Sequence, residues 1–136
     1  MSYLSWFREH SLKHLEIVKK LEHLNFNDKE IIEYFNYENI SKKELDFCPL
    51  FLGNKKCHDL ENLNCYLCAC PNFRFNDNVK NLKSHCSINS KDGNKVSYKN
   101  IVHQDCSKCV IPHKVDYIEK YYSREWSYIM RECNES

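Results

Sequence analysis

Residues 48–71 read CPLFLGNKKCHDLENLNCYLCACP and residues 105–113 read DCSKCVIPH, and between them they hold seven of the nine cysteines in a 136-residue chain. Each stretch carries a C-x-x-C knuckle: Cys65-Tyr66-Leu67-Cys68 and Cys106-Ser107-Lys108-Cys109. Two thiolates at that spacing sit on one tight turn and grip a single ion at roughly 2.3 Å. The two knuckles together supply the four sulfurs of a tetrahedral site, although 37 residues separate them, more than a zinc ribbon usually inserts. A second group remains: Cys48, Cys57, His58, Cys70 and Cys86, with His85 and His113 near in sequence. Four ligands for a second ion can be drawn from it. Two zinc ions are therefore expected.

The fold reading follows from these cysteines. Residues 48–86 show neither helical nor strand periodicity, and a turn-rich stretch of that kind needs an internal staple. Structural zinc supplies one, because its binding free energy is folding free energy. The chain is long enough for one domain only. Its 20 Lys+Arg against 19 Asp+Glu give a net charge of +1, which excludes a protein that coats phosphate backbones with bulk positive charge. With 2 Gly in all, Gly-rich phosphate cradles are excluded too. The opening ten residues carry Arg8, Glu9 and His10 where a leader peptide keeps an apolar run, and no stretch approaches the roughly 20 apolar residues of a membrane span. The expected location is the cytoplasm, where clustered cysteines mean metal or catalysis more often than disulfides. An odd cysteine count points the same way.

The flanks are helical. Leu4, Phe7, Leu15 and Val18, flanked by Leu12 and Leu21, mark a helix over about residues 3–24. Asn27 and Glu30 form a capping-box pattern before Ile31, Ile32, Tyr34 and Phe35, which predicts a second helix over about 28–37. Ser41 and Glu44 repeat the pattern for one further turn. Asp92-Gly93-Asn94 is a turn signal, and Val96, Tyr98 and Ile101 predict a hairpin strand. After Pro112, the residues Val115, Ile118, Tyr122, Trp126, Ile129 and Cys133 recur at spacings of 3 and 4, predicting a long amphipathic helix over about 113–132. The expected fold is α+β and helix-rich. An N-terminal helical segment (1–47) and a C-terminal amphipathic helix (114–136) pack as one folding unit around a metal-stapled, turn-rich, cysteine-rich domain (48–113) with a short β-hairpin.

These motifs resemble the cysteine-rich small domain family of bacteria and archaea. The resembling elements are Cys48-Pro49, then Cys57-His58, then Cys65, Cys68, Cys70 and Pro71, then Asp105, Cys106, Cys109, Pro112 and His113, over about residues 48–113. The resemblance implies metal binding and no defined biochemical role. Two departures stand out. Phe73-Arg74-Phe75 occupies the place where the family often carries another cysteine, with His85-Cys86 as a candidate replacement, and the first Cys to Cys-His interval is longer.

Thiolate and imidazole donors suit zinc, with an iron–sulfur cluster as the alternative. Zinc is favoured by the knuckles, by the histidines and by the lack of a C-x2-C-x2-C-x3-C run. The candidate ligands are thus Cys48, Cys57, His58, Cys65, Cys68, Cys70, Cys86, Cys106, Cys109 and His113. His10 and His14 share a helix face without the glutamate of H-E-x-x-H and read, with His23, as solvated surface groups. Cys133 completes an apolar stripe and reads as a small buried hydrophobe.

Function then divides into three readings. The first is a structural or partner-binding zinc protein, whose partner would meet aromatic residues left exposed among Tyr117, Tyr121, Tyr122, Trp126 and Tyr128. The second is an RNA-binding zinc module using Lys91, Lys95, Lys99, Lys108 and Lys114, disfavoured because lysines also serve simply to keep a strand edge soluble. The third is a metal or thiol enzyme with an open zinc on Cys57, Cys70 and His58 and a base at Asp59 or Glu61; no deaminase or Ser-His-Asp signature supports it, so no catalytic residue is assigned. No membrane partner is expected.

Overall fold

The computed structural model describes residues 3–77, 83–98, 101–106 and 108–135. Helix α1 (Tyr3–His23) leads into α2 (Asp28–Tyr34) and α3 (Tyr37–Lys43), and a 3-10 turn follows at Pro49–Gly53. Strands β1 (Phe73–Asn76), β2 (Lys83–Cys86), β3 (Asn94–Tyr98) and β4 (Ile101–Asp105) come next. A second 3-10 turn (Ile111–His113), α4 (Val115–Tyr121) and the one-turn α5 (Trp126–Ile129) complete the order. The fold is α+β, and no helix among the described residues is long and apolar enough to cross a membrane.

The capping box is present as its pattern required. Asn27 accepts from the Glu30 amide at 2.8 Å and Glu30 accepts from the Asn27 amide at 2.9 Å, satisfying two orphan donors at the start of α2. Asn27→Ala should lower stability by about 1 kcal/mol in urea unfolding and leave bound metal unchanged. A variant as stable as the parent would show that the box is idle. The Ser41–Glu44 pattern does not cap a helix. Ser41 lies inside α3, which starts earlier, and Glu44 ends it, its carboxylate taken by Lys20 and Tyr34.

The face that α1 buries is rotated from the expected one. Leu12 is 64% exposed, whereas His10, His14, Ile17, Val18 and Leu21 are buried. His10 stacks on Trp6 (4.7 Å between centroids) and packs on Phe47 and Trp126; His14 stacks on Phe35 (4.7 Å) and meets the edge of Tyr66. The surface assignment of these two histidines is therefore corrected. An uncharged imidazole is a flat ring that aromatic neighbours accept, and hydropathy patterns do not count it as core. Burial lowers His10 to about 4 and His14 to about 3.

The long C-terminal helix is also corrected. The backbone turns extended at Tyr122, and the segment through Glu125 is non-helical before α5. Long-range bonds win over the local period there. The Tyr66 hydroxyl donates to the Ser123 carbonyl at 2.6 Å, the Tyr122 hydroxyl donates to Asp28, and Arg124 bridges Asp28 (2.7 Å) and Glu22 (3.0 Å). The break lets Trp126 enter the core against α1 while Tyr66 stays tied to the loop.

The sheet order is β1-β2-β4-β3. β1/β2 and β3/β4 are antiparallel, and β2/β4 are parallel through Lys83 and Val102. The strand predicted through Val96 and Ile101 is the β3/β4 pair; β1 and β2 lie inside the stretch expected to be loops. The chain end adds to β1, since the Phe75 amide donates to Cys133 and the Glu135 amide donates to Phe75, both at 2.8 Å. The core joins Ile17, Val18, Leu21, Ile31 and Phe35 of the N-terminal segment to Tyr66 and Leu67 of the first knuckle and to Ile118, Trp126 and Cys133.

Candidate metal centre

Each knuckle closes as a tight turn. The Cys68 amide donates to the Cys65 carbonyl at 3.3 Å, and the Cys109 amide to the Cys106 carbonyl at 3.0 Å. Asn64, fully buried, anchors the first knuckle. Its amide group donates to the Ile32 carbonyl and to Asn36 Oδ1, and its Oδ1 accepts from the Tyr66 amide, all at 2.8 Å. The Cys65 amide donates to the Phe35 carbonyl at 2.8 Å, so the knuckle is bolted to the end of α2.

The two knuckles belong to different groups. Around Cys65 and Cys68 lie Cys48 and Cys57. Burial, then the charges of Cys68, Cys57 and Cys48, pushes the Cys65 thiol far up; burial, then Cys48 and Cys57, pushes Cys68 up to about 12. Around Cys106 and Cys109 lie Cys70 and Cys86. Burial, opposed by the Asn72 amide and reinforced by Cys106, Cys86 and Cys109, pushes Cys70 up to about 12; burial, then Cys109, Cys86 and Asp105, pushes Cys106 up to about 11. By these neighbours Cys48, Cys57, Cys65 and Cys68 group apart from Cys70, Cys86, Cys106 and Cys109, the two groups following one another along the chain rather than pairing the knuckles with each other.

The backbone explains the exchange. Ala69 and Cys70 both adopt positive φ (89° and 66°), a region that disfavours residues bearing a Cβ. That left-handed pair reverses the chain just past Cys68, so that Cys70 joins the other set. The sheet then collects the remaining sulfurs. Antiparallel β1/β2 sets Phe73 opposite Cys86, three residues after Cys70. Parallel β2/β4 starts level at Lys83 and Val102, so Cys86 and Asp105 end their strands together and Cys106 follows. Cys70, Cys86, Cys106 and Cys109 line a cavity of about 20 Å³, room for about one water-sized body.

Beside the first set stand His58 and His113. Cys57, His58 and His113 offer three ligand atoms within 4.8 Å of one another, the one such group among the described residues; the four-thiol sets are looser. His113 is buried, and that burial lowers it to about 4 and keeps the ring neutral. Cys133 is fully buried, its thiol against the Cys70 and Pro71 carbonyls and the Met130 sulfur. It belongs to neither set. His85 turns to Glu135 at 3.7 Å rather than to a cysteine.

The other candidates are spread over the surface. Lys91, Lys95, Lys108 and Lys114 are exposed, and Lys99 lies outside the described residues. Of the aromatic residues, Trp126 is buried, Tyr117 and Tyr122 are half-buried, and the exposed Tyr121 and Tyr128 each carry a cation, Lys120 and Arg131, over the ring. The enzyme reading drew its open site from Cys57, Cys70 and His58. The structure puts Cys70 with the other set and His113 in its place, a substitution that needed the tertiary contact of residues 56 apart. No protein-family model, no curated protein and no solved structure matches this chain, so these side chains themselves carry the functional reading.

Proposed function

We propose that the protein is a zinc-binding module in which two four-thiolate sites hold the cysteine-rich centre together. The observation that carries this reading is the neighbourhood of the thiols: Cys70, Cys86, Cys106 and Cys109 line one small cavity, Cys48, Cys57 and Cys65 are the electrostatic neighbours of Cys68 or share its surroundings, and the ninth thiol is sealed in the apolar core. Chance clustering of thiols gives no reason for that division. Tetrahedral coordination does, because each ion requires four donors. The donors also fit the group. Buried thiols that push one another's pKa upward are held neutral without a cation, and a divalent ion reverses this by taking thiolates as ligands and releasing their protons. Two strained left-handed residues, Ala69 and Cys70, persist where bound metal would over-determine the backbone. The role is structural, since a site filled by four protein sulfurs leaves no position for substrate.

Elemental analysis of anaerobically purified protein, with a visible spectrum, should return at least two tightly held zinc ions per chain and no absorption above 400 nm (about the onset of iron–sulfur colour). A brown protein with stoichiometric iron would replace zinc by a cluster. A folded protein free of any metal would end the reading.

A further inference from the structure

We infer that Cys57, His58 and His113 form a third metal position, sharing the Cys57 sulfur with the first thiolate site, with one coordination place open to the adjacent groove. The inference rests on the zinc reading for the sites beside it and extends it from structure to ligand binding.

The argument starts from the rings. His58 Nε2 lies 2.8 Å from the Cys106 carbonyl, and His113 Nδ1 lies 2.8 Å from the Asn64 carbonyl. A carbonyl only accepts, so each of these nitrogens carries the hydrogen. In a neutral imidazole the opposite nitrogen is then a bare lone pair. Those opposite nitrogens, His58 Nδ1 and His113 Nε2, stand 3.0 Å and 3.7 Å from the same atom, Cys57 Sγ. A neutral thiol has one hydrogen and satisfies one of these lone pairs, leaving the other facing the sulfur unpaired; a cation among the three atoms would satisfy all of them. Ligating histidines are held in this way, with the far N–H on a carbonyl and the near nitrogen on the metal. Zn–S of about 2.3 Å and Zn–N of about 2.0 Å at a tetrahedral angle put sulfur and nitrogen about 3.5 Å apart. The His113 distance matches this, and the His58 ring stands closer and would move out by about half an ångström on binding.

Cys57 is the exposed member of its group, so its sulfur is the one open to a further ion.

Three protein donors leave a fourth place. All three line an open groove of about 580 Å³, whose other walls include Tyr3, Trp6 and Phe73, with Lys56 nearby. A groove of that size takes a small organic molecule. The class that fits is an aromatic or apolar body with one anionic donor, carboxylate or thiolate, for the open place.

The test is titration of metal-free full-length protein with Co²⁺ under anaerobic conditions, read by equivalents bound and by the d–d spectrum, then addition of azide as the monodentate probe. The parent should take up three equivalents, and azide should shift the band only after the third is bound. His58→Ala/His113→Ala should stop at two equivalents, with no response to azide. The parent stopping at two, silent to azide, would overturn this inference and leave the two-site reading standing. Uptake of none would end both. Should the double variant fail to fold, His58→Gln alone, losing the azide response at unchanged secondary structure, decides the question.

Discussion

Cys68→Ser is expected to lose one zinc ion and to lower the melting temperature of the whole protein, not of residues 48–113 alone. The two residues between the knuckle sulfurs, Tyr66 and Leu67, are fully buried in the core that also holds Leu21, Ile31 and Phe35. The Cys68 carbonyl accepts from Trp126 Nε1 at 3.2 Å, and the Cys65 amide holds the end of α2. A knuckle that lets go therefore frees the centre of the aromatic packing around α1. Structural zinc contributes on the order of 10 kcal/mol, comparable with the whole stability of a domain. A net loss of about 5 kcal/mol lowers Tm by roughly 15–25 °C in a chain of this size. Cys133→Ser, in the core but in neither set, should keep its metal and lose only a modest fraction of stability. Circular dichroism melts with metal analysis on both variants decide the matter. Full metal and parental melting in Cys68→Ser, with metal lost from Cys133→Ser, would refute the ligand assignment.

Mild acid should unfold the protein through α1 as well as through its thiolates. His10 and His14 are buried among aromatic rings, and His10 Nε2 and His14 Nδ1 have no hydrogen-bond partner among the described residues. Burial is the first cause of both depressed pKa values, about 4 and about 3, against an ordinary 6.5. The unfolded chain thus binds protons at these positions from pH 6.5 downward while the folded chain does not. The stability they allow is complete above pH 6.5 and is lost as the pH falls, levelling for His10 near pH 4. Each contributes about 1.4 kcal/mol per pH unit in that window, so the pair removes about 4 kcal/mol by pH 5. Urea midpoints at pH 7 and pH 5 measure it, with metal content followed in parallel. His10→Phe, which keeps a ring beside Trp6, should show about half of the histidine-linked loss. The same pH slope in His10→Phe and parent would show that these rings do not carry the effect.

Those two histidines illustrate what was hidden in the sequence. Helices α1 and α2 were legible from apolar spacing and from the Asn27–Glu30 box, both local signals. The face of α1 was not, because a stacked neutral imidazole looks polar in any hydropathy pattern. The break after α4 was invisible for another reason: Tyr66, Asp28 and Glu22, which hold Ser123, Tyr122 and Arg124, come from 57, 94 and 102 residues away. The ten candidate ligands stand out in the sequence by residue type and spacing. Which of them are neighbours does not, since that depends on the parallel register of β2 with β4 and on the turn at Ala69.

That turn ties the two thiol sets together mechanically. Cys68 and Cys70 flank a single residue yet have different thiol neighbours, so under the proposed two-site reading the segment that must be ordered to fill one set is the segment that must be ordered to fill the other. Whichever ion arrives first bears the ordering entropy of the left-handed pair; the next meets sulfurs already in place. Loading is then cooperative, and the chain passes between empty and filled with few half-occupied molecules in between.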